Sequence, residues 1–164
     1  MKVVQKPVDK LIPYINNSRT HSDEQVAQIA ASIKEFGWTN PILVDGENGI
    51  IAGHGRLMAA RKLGYTEVPT IELKDLTETQ RKAYIIADNK LALNADWDKD
   101  ILKIEFGALD AAGFNLELTG FIGDDLTEAM FGKDFVLEPP DEFKEVDETE
   151  LEKKCPRCGF EFDE

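Results

Sequence analysis

The sequence predicts an α+β fold, and three observations carry that prediction. Short β-branched apolar runs stand at Ile42–Val44, Ile50–Ala52 and residues 68–73, each bounded by turn residues. On either side of them lie two stretches of helical periodicity, each opened by a Ser or Thr with Gln three residues on. Strands and helices mix irregularly over residues 1–95 rather than in a repeated βα unit.

Taken in order, residues 2–8 alternate loosely and predict a first strand, and Asn16, Asn17, Ser18 and Arg19 supply polar turn chemistry. Ser22 and Gln25 fit a capping box for a helix whose buried face is Val26, Ile29, Ala30 and Ile33, with Gly37 placed to end it. Asn40 and Pro41 lead into the strand Ile42–Val44, and the turn pairs Asp45-Gly46 and Asn48-Gly49 predict a hairpin with Ile50–Ala52. Gly53, His54 and Gly55 then read as a tight turn, with a helix from Arg56 to Leu63 closed by Gly64. Residues 68–73 form a further strand, with Pro69 expected at its start or on a sheet edge. Thr77 and Gln80 open a helix reaching about Leu91, with Ala83, Ile86, Ala87 and Leu91 as its expected buried stripe. Asp98 is the expected cap of a third helix holding Ile101, Leu102, Ile104, Leu109 and Ala112, stopped by Gly113, and a short helix is expected over residues 125–131.

The organisation read from this pass is a domain at 1–95, a helical extension at 96–133, an acidic linker at 134–152 and a Cys-containing terminus at 153–164. Charge divides the same way. Residues 1–95 carry 12 Lys and Arg against 11 Asp and Glu, a net +1; residues 96–164 carry 7 against 21, a net −14, and together these restore −13. The first part is near neutral and suits a phosphate ligand, whereas the acidic second part disfavours direct DNA binding by the whole chain. No apolar run approaches the length that crosses a membrane, and the first ten residues lack the apolar core of a signal peptide. With two cysteines, a cytoplasmic protein is expected.

The stretch from residue 50 to 64 organises the chain. A glycine turn straight into a helix directs unpaired N–H groups and the positive end of the helix dipole at one spot, which suits an anion. Arg56 adds a forked cation there and His54 a donor or acceptor with an acid/base role. The plainer reading is a strand–turn–helix joint with packing glycines, because neither GxxxxGK[ST] nor GxGxxG is matched. His21 reads as a solvated loop residue, Arg61 and Lys62 as outward-facing, and Trp38 as a core or hinge aromatic.

Several blocks, in order, resemble the ParB N-terminal domain of the wider ParB/sulfiredoxin-like superfamily. They are Leu11-Ile12-Pro13, Asn17-Ser18-Arg19, Ala31-Ser32-Ile33 with Gly37, Asn40-Pro41-Ile42, residues 53–64 as G-x-x-R-x-x-A-A-x-x-x-G, and Asp88-Asn89. The resemblance spans roughly residues 3–95 and implies a nucleotide-binding fold that takes CTP with Mg²⁺ in partitioning proteins and ATP in sulfiredoxins. It implies phosphate contacts from Gly53, His54, Gly55 and Arg56, with Arg19 within reach, and a base beside Asn40, Pro41 and Ile42. Asp88 and Asn89 would hold Mg²⁺, with His54 and Asp88 as catalytic residues of a slow NTPase or a phosphotransferase. Departures are specific: Gly53-His54-Gly55-Arg56 stands where partitioning proteins have G-E-R-R, and Ala92 stands where they have Arg. His54 replaces the reactive Cys of sulfiredoxins, and Ala52 the Asp of the family's free serine kinases. No helix-turn-helix is recognisable after the domain. The segment beyond residue 95 resembles the extension of phage and prophage ParB-like proteins, some tied to DNA methyltransferases.

Cys155 and Cys158 in C-P-R-C-G form a knuckle that presents two thiolates to zinc, half the usual structural set. A homodimer sharing one zinc, a DNA-processing partner completing the site, and a remnant or redox-active pair are the competing readings.

Overall fold

The computed structural model describes residues 1–133, Phe135, and the backbone of residues 153–154 and 161–162. The chain divides into two compact units, Met1–Lys133 and Asp134–Glu164, so the helical extension belongs to the same unit as the first domain. In the second unit, β5 (Lys153–Lys154) pairs antiparallel with β6 (Glu161–Phe162). Cys155 and Cys158 lie outside the described residues.

The first unit is built on a four-stranded mixed sheet. Its strands are β1 (Val3–Pro7), β2 (Ile42–Val44), β3 (Ile50–Ala52) and β4 (Glu67–Glu72), in the order β1-β4-β2-β3. β4 runs antiparallel to β1 and parallel to β2, and β2–β3 is the expected hairpin, with a register irregularity at Leu43/Val44. Pro69 therefore lies in an interior strand. It is accommodated because β2 begins pairing with β4 only at Thr70, one residue later.

Helix α2 (His54–Lys62) packs on the sheet, and α1 (Asp23–Phe36) packs on α2. One core cluster joins Val8, Leu11, Ile42, Val44, Ile50, Leu57, Ala60 and Val68; a second joins Val26, Ala30, Ile33 and Ala59. Trp38 packs against both and meets Tyr65 edge-on, with centroids 5.9 Å apart. Ala59 and Ala60 are fully buried, and their small side chains let α2 lie close to its neighbours. The Ser22 hydroxyl accepts the Gln25 N–H as expected, but the reciprocal half of that box is missing, since the Gln25 amide oxygen is turned to His21. The Thr77–Gln80 box is complete and opens α3 (Glu78–Ala92).

Two buried stripes differ from expectation. On α3 the buried residue is Ile85, 2% exposed, while Ile86 is 61% exposed and Ala83 and Leu91 are also outside. On α4 (Lys99–Ala111) it is Phe106, while Ile101 and Ile104 are exposed. Each helix touches the rest of the unit along a narrow line, so apolar residues spill onto the outer face and the sequence pattern misplaces the inner one. α5 (Gly123–Phe131) begins two residues before the expected start, and Phe121 bridges α4 and the preceding loop by edge-on contacts with Phe106 and Trp97, at 5.2 and 5.5 Å. No helix among the described residues is long and apolar enough to cross a membrane.

The α3 register is testable. Ile85→Ala should lower the unfolding free energy by about 2–4 kcal/mol through cavity formation. Ile86→Ala, one residue away on the solvent side, should change it by less than about 0.5 kcal/mol. Urea titrations of both variants would check this.

Candidate functional site

α2 starts two residues earlier than its sequence suggests, so His54 and Gly55 are helical and the turn is made by Gly53 alone. Gly53 is the N-cap with φ +102° and ψ 27°, a left-handed conformation that side chains avoid, and no side chain caps the helix. Leu57 N–H closes the first turn on the Gly53 carbonyl, which leaves the earlier amides of α2 without an intrahelical acceptor.

Arg56 folds back over this turn. Its Nη1 donates to the carbonyl oxygens of Asn40 at 2.9 Å and Pro41 at 3.1 Å. A Cβ on Gly53 would come within 3.1 and 3.2 Å of Arg56 Nε and Nη2, so the guanidinium lies directly over the glycine. Burial pulls the Arg56 pKa down and the nearby Asp88 carboxylate opposes that, so the group stays a cation. Gly55 is buried for another reason: a Cβ there would meet Ile29 Cδ1 at 2.8 Å and the His21 ring at 3.1 Å. It is a packing glycine where helix α2 meets α1.

Two adjoining cavities open around this turn. The smaller, about 210 Å³, has Arg19, His21, His54, Arg56 and Asn89 on its walls. The larger, about 650 Å³, runs past Trp38, Thr39, Asn40 and Leu43 to Thr119, beyond α4. Gln25, Ile29, Ala52, Arg56 and Asp88 line both, so the two form one continuous cleft. Of the residues singled out in the sequence, the structure gathers Gly53, His54, Gly55, Arg56, Arg19, Asp88, Asn89 and Asn40 around this cleft. Ile42, expected beside a base, instead points into the core with no exposed surface, and its strand neighbour Leu43 lines the cleft. His21, Gln25 and Thr39 line the cleft as well, although the sequence placed His21 in a solvated loop and Gln25 in a helix cap. His21 is half-buried over Gly55, held by a 2.9 Å contact between Nδ1 and Gln25 Oε1, a placement visible only once α1 and α2 are packed.

His54 is neither free nor charged. Its Nε2 accepts the backbone N–H of Tyr14 at 3.1 Å. An amide can only donate, so Nε2 carries a lone pair and the ring proton sits on Nδ1. Burial, then the nearby His21, pushes its pKa below the ordinary histidine value. An acid/base role through Nε2 conflicts with this bond. Asn89 is likewise engaged: Oδ1 accepts from Arg19 Nη1 at 3.3 Å and Nδ2 donates to the Ile85 carbonyl at 2.8 Å. A Mg²⁺ on Oδ1 would face the Arg19 guanidinium, which leaves Asp88 as the carboxylate open to a metal. Among the described residues no group of three or more His, Cys, Asp or Glu side chains assembles.

A family model described as the ParB N-terminal domain matches residues 1–89, and one described as the ParB-methyltransferase HTH domain matches residues 100–157. The second match corrects the reading that no helix-turn-helix segment comes after the first domain; α4 and α5 are its described helices. The ParB-like nuclease domain-containing protein YnaK of Escherichia coli (strain K12) is 55% identical over 82 residues, 50% of this chain and 94% of that protein. The nucleoid occlusion protein of Geobacillus thermodenitrificans (strain NG80-2) is 36% identical over 88 residues, 51% of this chain, and the match spans 31% of that relative. The crystal structure of the C-terminally truncated chromosome-partitioning protein ParB from Caulobacter crescentus, complexed with CTP-gamma-S, superposes with a TM-score of 0.58 at 24% identity, covering 81% of this chain and 72% of that one. That likeness is one of fold.

Gly53→Ala should cost about 1–3 kcal/mol in stability from the left-handed backbone alone. The new methyl group would also push Arg56 off the Asn40 and Pro41 carbonyls. Thermal unfolding and a crystal structure of the variant would check both effects.

Proposed function

Because the chain belongs to the ParB N-terminal domain family, we propose that it binds a nucleoside triphosphate, CTP or ATP, in the continuous cleft around the first turn of α2. The observation that carries this reading is the pairing of a small cationic cavity with a larger one beside it that share Arg56 and Asp88. Ionised phosphates suit the uncapped amides of α2, the Arg56 guanidinium and Arg19. A base suits the larger cleft, where Trp38 and Leu43 give apolar walls and Thr39 and Asn40 give polar partners. The related fold solved with CTP-gamma-S supports the same reading.

Mg²⁺ fits as a passenger of the phosphates rather than in an all-protein cage, because Asp88 offers a single open carboxylate. When bound, the ion would supply neutralisation of phosphate charge. The chain's own contribution is positioning: Arg56 is fixed by two carbonyls before ligand arrives, so its charge is oriented in advance. Slow Mg²⁺-dependent hydrolysis is the activity such a site would support. A phosphotransferase using His54 as base is the weaker reading, since Nε2 is bonded to Tyr14 and Ala52 stands where a carboxylate would serve.

The match to a ParB-methyltransferase HTH domain supports a role beside a DNA-processing partner. α5 carries Asp124, Asp125 and Glu128 and no Lys or Arg, while Lys99 and Lys133 both lie on Glu128. That charge favours a protein partner over direct contact with DNA phosphates.

Isothermal titration with CTP, ATP and GTP in Mg²⁺ tests the central reading. Saturable binding of at least one is expected, weakened about tenfold or more by Arg56→Ala, since a charge-assisted hydrogen bond is worth about 1.5–3 kcal/mol. No heat from any of the three would remove the proposal.

A further inference from the structure

Residues 14–21 form a strap that lines the smaller cavity through Asn17, Arg19 and His21 and is tied down at three points. Tyr14 N–H bonds to His54, Arg19 Nη1 bonds to Asn89 on α3, and the His21 ring rests against Gly55. Upstream, the same segment is anchored to the hairpin, with Ile12 N–H on the Asn48 carbonyl and Ile50 N–H on the Ile12 carbonyl. The upstream tie is backbone to backbone and does not titrate. The Tyr14 tie depends on a lone pair that a proton would occupy.

We infer that His54 is a positioning residue whose neutral ring latches residues 14–21 across the phosphate cavity, and that protonating it unlatches them. The inference rests on the nucleotide reading for its purpose and on the Tyr14–His54 bond for its mechanism. An imidazolium has N–H on both nitrogens, so Nε2 would then confront the Tyr14 N–H, donor against donor. The surroundings discourage that proton. Arg19 on the strap, Arg56 on α2 and His21 ahead of α1 line the cavity with His54, against one carboxylate, Asp88 on α3; α1 adds the uncharged Gln25. The Tyr14 phenol, also on the strap, lies within electrostatic reach of Lys82. Burial, then the nearby His21, holds the His54 pKa below its ordinary value.

The geometry separates this from the common case of a histidine that meets phosphate as a cation: here the ring's partner is a backbone amide, and acid breaks that tie while Arg19 keeps its own bond to Asn89.

The test uses the full chain labelled with ¹⁵N, without nucleotide, between about pH 7.5 and about pH 5, the range in which histidines titrate. At the upper end His54 should show the pattern of a neutral ring protonated on Nδ1, and the Tyr14 amide should be protected from hydrogen exchange. As His54 titrates, that protection should fall about tenfold or more after correction for intrinsic exchange. His54→Gln, whose amide oxygen accepts the same N–H without titrating, should keep Tyr14 protected at the acid end. A ring protonated on Nε2 at the upper pH, or Tyr14 protection indifferent to the His54 titration, would overturn the inference. A latch that titrates in a protein that binds none of the nucleotides would leave it standing and remove the nucleotide reading instead.

Discussion

One backbone angle governs the arrangement of this site. Gly53 at φ +102° turns the chain from β3 into α2 without an intervening loop. Any other residue would carry a Cβ into Arg56 and Ile42 as well as adopt a disfavoured conformation. The abrupt turn leaves the first amides of α2 uncapped at the end of a buried strand, and it brings Arg56, one turn along, back over the glycine. From there the guanidinium reaches Asn40 and Pro41, the residues that feed β2. A strand exit, a strand entry and a helix start are thus tied by one side chain, which is also part of the wall that both cavities share.

The electrostatic character of the cleft is set by what each group is already bonded to. Arg56 has two carbonyl partners yet keeps donors that those bonds do not use. Asn89 looks on sequence like a metal ligand but is held between Arg19 and the α3 backbone. His54 looks like an acid or base but serves as an acceptor for a backbone amide. The outcome is a pocket whose cations are held in place beside a single carboxylate, Asp88, and which is suited to holding an ionised group. Chemistry that requires a strong base finds less support in it.

The parts of the structure set by local rules were legible in the sequence. The four strands, the glycine ends at Gly37, Gly64 and Gly113 and the Thr77–Gln80 box stand where spacing and turn chemistry put them. The neighbourhood of Gly53, Arg56, Asp88 and Asn89 was legible through resemblance, because several short blocks occurred in order. What failed depends on contacts between distant residues. The α3 stripe was displaced by one residue because Ile85, rather than Ile86, is the buried one, and both are isoleucine. His21 looked solvated because nothing nearby in sequence shows that Gly55 makes room for its ring. The acidic α5 hid the likeness of residues 100–157 to the ParB-methyltransferase HTH domain, since its charge is opposite to that of the usual DNA-reading helix.

The claim on which the functional account depends is that the first turn of α2 is a phosphate seat. A crystal structure of the protein grown with CTP or ATP and Mg²⁺ measures it directly. The account predicts phosphate oxygens within hydrogen-bond distance of the α2 first-turn amides and the Arg56 guanidinium, with the base in the cleft beside Trp38 and Asn40. Phosphates seated elsewhere, with the Arg56 guanidinium and those amides untouched, would contradict it.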